Sequence, residues 1–200
     1  ARLHGDLEFT PVFPETEETS APVIERYLPS RDYEKHNREL KRARRFLKQR
    51  SQKTWFEIRL SAVIDPFLEE ARQLCEEWKE IELAASDSGE EVPLCFCHGD
   101  YQYHNILRQD RGFFLVNFEK CQADGPVRDL YLLLRKLLEK SEWDAEWGRV
   151  LLAAYESVRP LKPYERQDLV YRLSYPEKLW KIINFYYNSG KAWIPEKNQE

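Results

Sequence analysis

The apolar positions of residues 64–81 fall at 64, 67, 68, 71, 74, 75, 78 and 81, which is the i, i+3, i+4, i+7 stripe of an amphipathic helix. Ser86-Asp87-Ser88-Gly89 then closes that helix as a loop. Upstream, residues 31–50 hold nine Lys/Arg against three Asp/Glu among good helix formers, which predicts a basic helix whose charged face meets either water or an anionic partner. Residues 11–30 carry Pro11, Pro14, Pro22 and Pro29 among Glu, Thr and Ser, and predict a Pro-rich connecting loop. Further along, residues 92–97 read as a short apolar strand. Ile106-Leu107 and residues 113–116 read as two strands joined across Asp110-Arg111-Gly112, a Gly-containing hairpin turn. Pro126 opens a helix whose buried stripe runs through 127, 130, 131, 134, 137 and 138. Trp147, Val150, Leu151, Ala154, Tyr155 and Val158 repeat the pattern until Pro160 and Pro163 stop it. A last aromatic-rich helix covers about 176–187. The expected fold is mainly α with one small β-hairpin and no internal repeat.

Composition narrows the function classes. With 42% hydrophobic and 33% charged residues the chain folds and keeps a wet exterior. A formal net charge of −4 gives no overall positive field, so no nucleic-acid partner is expected. The longest apolar run is residues 113–116, or 130–134 if tyrosine is counted, far short of the ~20 residues that span a bilayer. No membrane partner is expected either. Four cysteines and no apolar leader point to reduced thiols and a cytoplasmic setting.

The chemistry concentrates in His98-Gly99-Asp100-Tyr101-Gln102-Tyr103-His104-Asn105, a loop between a strand and a hairpin. Phosphoryl transfer to a hydroxyl needs a carboxylate to orient and deprotonate the acceptor, and oxygen ligands for the metal that neutralises the phosphates. Asp100 and Asn105 stand at the D-x-x-x-x-N spacing of kinase catalytic loops. A further ligand would come from the end of the hairpin, where Leu115-Val116-Asn117-Phe118-Glu119 follows.

His98-Gly99-Asp100 with Asn105, followed by a hydrophobic strand into Asn117-Phe118-Glu119, resembles the catalytic core of the aminoglycoside phosphotransferase and choline kinase superfamily, which has a protein-kinase-like fold. Within it the likeness is closest to the spore-coat-associated kinase-like proteins. Gly125-Pro126-Val127-Arg128-Asp129-Leu130 and the stretches 1–4 and 175–189 carry that narrower likeness, which runs over about residues 1–195. The resemblance implies a single lobe over 1–200, ATP and Mg²⁺ as cofactors, and a small-molecule or protein acceptor. It also implies a cytoplasmic or spore-coat location with spore coat proteins as partners. It implies Asp100 as the catalytic base, Asn105 and Asn117 as metal ligands, and His98 and Asp129 as supports of the loop. His104 is a weaker candidate for substrate contact.

Two departures bear on activity. Asn117 stands where the superfamily usually has Asp, so the metal would lose a charged ligand; Glu119, two residues on, would face the same side if the strand continues. The seven glycines are all isolated, and no Gly-rich phosphate loop precedes Asp100. The chain therefore resembles the helical C-terminal lobe, with the nucleotide-binding lobe absent. Two functions stay open: ATP-dependent phosphorylation of a hydroxyl, or a non-catalytic pseudokinase that binds proteins of the spore coat.

Blander readings compete at several positions. Asp100 in a turn caps its own backbone, and Asp129 in a first helical turn suits the dipole. Cys95, Cys97, His98 and His104 form either a soft-metal cluster or a strand with two buried thiols beside an ordinary loop. Trp143, Trp147, Trp180, Tyr186, Tyr187 and Trp193 form either a stacking platform or core.

Overall fold

The computed structural model describes residues 29–87, 95–109 and 112–188. Most of the Pro-rich segment 11–30, residues 92–94, the turn residues Asp110 and Arg111, and Trp193 lie outside them. The described chain is mostly helical with two small antiparallel sheets, and it divides into two compact units. No described helix is long and apolar enough to cross a membrane.

The unit of Leu28–Ala84 and Ser174–Glu200 contains α1 (Pro29–Gln49), most of α2 (Trp55–Asp87) and α6 (Glu177–Asn188). Helix α1 buries Tyr33, Leu40, Ala43 and Leu47, and α2 buries Leu60, Ile64, Leu68, Ala71, Cys75 and Trp78, each at helical spacing. Thr54 and Glu57 form a capping box that starts α2: the Glu57 N–H donates to Thr54 Oγ1 at 3.3 Å and the Thr54 N–H to Glu57 Oε2 at 2.8 Å. Asn37, buried on α1, donates to the Ala71 carbonyl at 3.0 Å and accepts from the Tyr175 hydroxyl at 2.8 Å. On α6, Trp180 stacks on His36 with ring centres 3.5 Å apart and donates from Nε1 to Glu39 at 2.7 Å. The expected basic helix is α1. Lys41, Arg44, Arg45 and Lys48 line a cavity of about 450 Å³ with Gln49 and Leu68, where Asp65 pairs with Arg44 and Lys48.

The unit holding Ala85–Leu173 carries the site. Strand β1 (Cys95–Cys97) pairs with β4 (Gln122–Asp124), and β2 (Ile106–Gln109) pairs with β3 (Gly112–Leu115) in the register Ile106 to Leu115 and Gln109 to Gly112. Helices α3 (Val127–Lys140), α4 (Ala145–Glu156) and α5 (Pro163–Ser174) follow. Val127, Leu130, Tyr131, Leu134, Tyr155, Leu161 and Leu169 form the buried cluster that seats α3. A bidentate ion pair, Arg159 to Glu165 at 2.8 and 3.2 Å, is buried at the α4 to α5 connection.

The fold differs from expectation at several places: a second small sheet, β1 with β4, joins the expected hairpin, α2 runs on through Ser86 and Asp87 where a loop was expected, and Phe67 of its stripe is exposed. The stripe read on α4 is only partly the buried one: Trp147, Val150 and Val158 are exposed, while Tyr155 is buried and Leu151, with Leu152 from outside the stripe, packs on the cluster. Trp143 is exposed as well, so neither Trp143 nor Trp147 is core. Pro163 opens α5, since its missing N–H is harmless at the first helical position.

Candidate active site

Strand β1 alternates Cys95 in, Phe96 out, Cys97 in, and delivers the chain into the loop at a buried His98. The fully buried Asp129, in the first turn of α3, fixes the loop there. Its Oδ2 accepts the His98 N–H at 2.7 Å and its Oδ1 the Gly99 N–H at 2.9 Å. One carboxylate thus satisfies two loop donors, which the burial of the site would otherwise leave unpaired.

The His98 ring extends the scaffold. Nε2 lies 2.8 Å from the Val116 carbonyl oxygen, so it carries the ring proton, and Nδ1 accepts the Asp100 N–H at 3.2 Å. Both ring nitrogens are thereby used inside the loop. Asn105 is buried and donates from Nδ2 to the Asp100 carbonyl at 2.8 Å, while its backbone carbonyl accepts from Val116 N–H at 3.1 Å. Asn117 Nδ2 donates to Asn105 Oδ1 at 2.9 Å. The Asn117 and Asn105 side chains and the Asp100 main-chain carbonyl are therefore linked in one hydrogen-bonded chain.

The hairpin does not continue as a strand past Leu115. Asn117 takes the left-handed conformation (φ 66°, ψ 60°), one that Asn and Asp tolerate best among non-glycine residues. The chain then turns through a 3₁₀ helix at Phe118–Lys120. The alternation that would have put Glu119 beside Asn117 is lost, and Glu119 is exposed on that turn. His104 is likewise exposed, its ring edge-on to Tyr103 at 5.2 Å.

Two residues outside the expected set complete the site. Lys120 Nζ lies 2.9 Å from Asp100 Oδ2, and Gln102 Nε2 bonds Asp100 Oδ1. Burial by itself would raise the Asp100 carboxyl, but hydrogen bonds from Lys120 and Gln102 and the Lys120 charge outweigh it and hold the group below the usual carboxylate range. Gly99 makes the approach of Lys120 possible. It sits at φ +73°, and a Cβ there would lie 2.1 Å from the Lys120 carbonyl oxygen. Asp124, also unforeseen, is buried before Gly125, whose N–H it accepts at 2.7 Å, and pairs with Arg128 at 2.7 Å. An aspartate directly before Gly-Pro is the one sequence signal that pointed to it.

A soft-metal cluster does not form at β1. Cys95 and Cys97 sit 3.5 Å apart and bond toward the Asp124 and Gly125 carbonyls, and the Cys97 thiol is pushed well up by its bond to Cys95 and by burial. His98 is committed to the loop and His104 is exposed. Among the described residues no group of three or more His, Cys, Asp or Glu is placed to hold a metal ion.

Magnesium with ATP, the cofactors expected from the resemblance, meets a poor donor set. Asp100 contributes the one carboxylate of the linked trio, and both its oxygens are bonded. Asn105 Oδ1 already accepts from Asn117. A hard dication favours charged oxygen, so this arrangement does not fit one.

A kinase-like phosphotransferase is the class that this loop, hairpin and helical frame define. Residues 24–165 match the phosphotransferase enzyme family (APH), and the chain belongs to it. Spore coat protein S of Bacillus subtilis (strain 168) is 34% identical over 104 residues, covering 51% of this chain and 30% of that protein. Among solved structures, an aminoglycoside phosphotransferase from Alicyclobacillus acidocaldarius superposes with a TM-score of 0.71 at 20% identity, over 85% of this chain and 50% of that one. That likeness shows the fold. A choline/ethanolamine kinase family protein from Mesorhizobium loti is similar at a TM-score of 0.41 and 18% identity, over 80% of this chain and 59% of that one. The chain thus spans only part of the length of each relative.

Proposed function

We propose that this chain is the catalytic-loop lobe of a kinase-like protein of the spore-coat-associated type that works by binding other proteins and not by turnover. One observation carries the reading: Lys120 and Gln102 each donate to one oxygen of the Asp100 carboxylate, while Asn105 Oδ1 accepts from the Asn117 amide. A general base works best when its proton affinity lies near the working pH, and the Lys120 and Gln102 bonds hold that of Asp100 below the usual carboxylate range. Asp129 and His98 hold the loop's shape whatever its chemistry, so the scaffold outlasts the reaction. The likeness to Spore coat protein S supports a place among spore coat proteins.

The other reading is ATP- and Mg²⁺-dependent phosphorylation of a hydroxyl with Asp100 as base, favoured by the retained Asp100 and Asn105 pair. Thermal-shift and ADP-release measurements on the full-length protein decide between them. Mg²⁺-ATP at 100 times its dissociation constant would add about 2.7 kcal/mol of stability. No shift and no ADP are expected. Turnover that disappears in Asp100→Asn would establish the enzymatic reading instead.

A further inference from the structure

We infer that the Lys120 ammonium is the resident cation of the catalytic-loop site, and that with Asn117 it turns the site away from divalent metal. The inference deepens the non-catalytic reading and rests on it. The linked trio carries a single negative charge, on Asp100, because Asn105 and Asn117 are neutral. The Lys120 ammonium, 2.9 Å from Asp100 Oδ2, balances it. A divalent ion arriving at these oxygens meets a carboxylate already neutralised and a positive group beside it.

The backbone places the lysine. Left-handed Asn117 turns the chain into Phe118–Lys120, and the Cys121 N–H closes that turn on the Phe118 carbonyl at 3.1 Å. The Lys120 carbonyl then packs where a Cβ of residue 99 would stand. The loop bearing Asp100 and the turn bearing Lys120 are seated on each other through their main chains, so the ammonium has a short path to the carboxylate. Its side chain is 65% exposed, and changing it leaves the core untouched.

The test is Mn²⁺ titration of the full-length protein without nucleotide, followed by electron paramagnetic resonance of the free ion, for N117D, N117D/K120M and N117D/K120R. Position 117 accepts aspartate in the left-handed conformation. Because ligand charge sets the affinity of hard-cation sites, N117D/K120M is expected to bind Mn²⁺ at least about tenfold tighter than N117D, with N117D/K120R unchanged from N117D. Affinities of N117D and N117D/K120M within about twofold of one another would overturn the assignment, as would an equal gain in N117D/K120R. Melting curves confirm that each variant folds. Since no nucleotide is present, Lys120 can lose its role here while turnover stays absent, and turnover lost in Asp100→Asn can appear with the tenfold gain intact.

Discussion

Replacing Asp129 with alanine removes both acceptors that hold the start of the loop, the partners of the His98 and Gly99 N–H groups at 2.7 and 2.9 Å. The carboxylate is fully buried, so water does not replace it. Hydrogen bonds to a charged group are worth about 1.5–3 kcal/mol each, which puts the loss at about 3–6 kcal/mol. An aspartate that served only the helix dipole would contribute about 0.3–1 kcal/mol, so the two roles differ by a measurable margin. Urea unfolding followed by far-ultraviolet circular dichroism reads the loss as a lower midpoint at constant slope. Amide exchange of His98 and Gly99 locates it: their protection should fall before that of the α3 interior. A loss below about 1 kcal/mol with both amides still protected would refute the loop-brace reasoning.

Two other expectations follow from the same structure. Gly99→Ala imposes about 1–2 kcal/mol of left-handed strain. A Cβ only 2.1 Å from the Lys120 carbonyl oxygen adds to it, so a melting temperature lower by about 4–8 °C is expected, and a value within about 1 °C of the parent would show that the turn is not seated on the loop. His36 is half-buried against Trp180, and this burial lowers its proton affinity below the ordinary 6.5 despite Glu177, Asp32 and Glu39 nearby. The folded state then binds fewer protons than the unfolded chain below that value, so stability is present above about pH 6.5 and declines as pH falls toward the lowered value. Melting from about pH 5 to 7.5 should show a shallower slope for His36→Gln, and parallel slopes would count against it.

Residues with a period were legible before the structure. The stripe at Ile64, Leu68, Ala71, Cys75 and Trp78 and the one at Val127, Leu130, Tyr131, Leu134 and Leu138 are buried where the spacing put them. Strand β4 was not legible, because Gln122-Ala123-Asp124 has neither length nor alternation, and its pairing with β1 spans a distance in sequence that no local pattern reports. On α4 the large side chains misled in part: Trp147 is exposed, and Leu152, outside the stripe, faces the cluster beside Leu151. At the site, Asp100 and Asn105 were legible from the loop spacing and Asn117, His98 and Asp129 from the resemblance, while Glu119 and His104, read with them, are exposed. Lys120 and Gln102 were not legible, because their contact with Asp100 depends on one left-handed residue at 117, and such a turn leaves no periodic trace.

That left-handed residue also bears on how the site can change over generations. A backbone shape that welcomes asparagine also accepts aspartate, and the two codons differ by a single base. The framework therefore poses no backbone barrier to an acid at 117, and the charge at that position can change without rebuilding the hairpin that holds it.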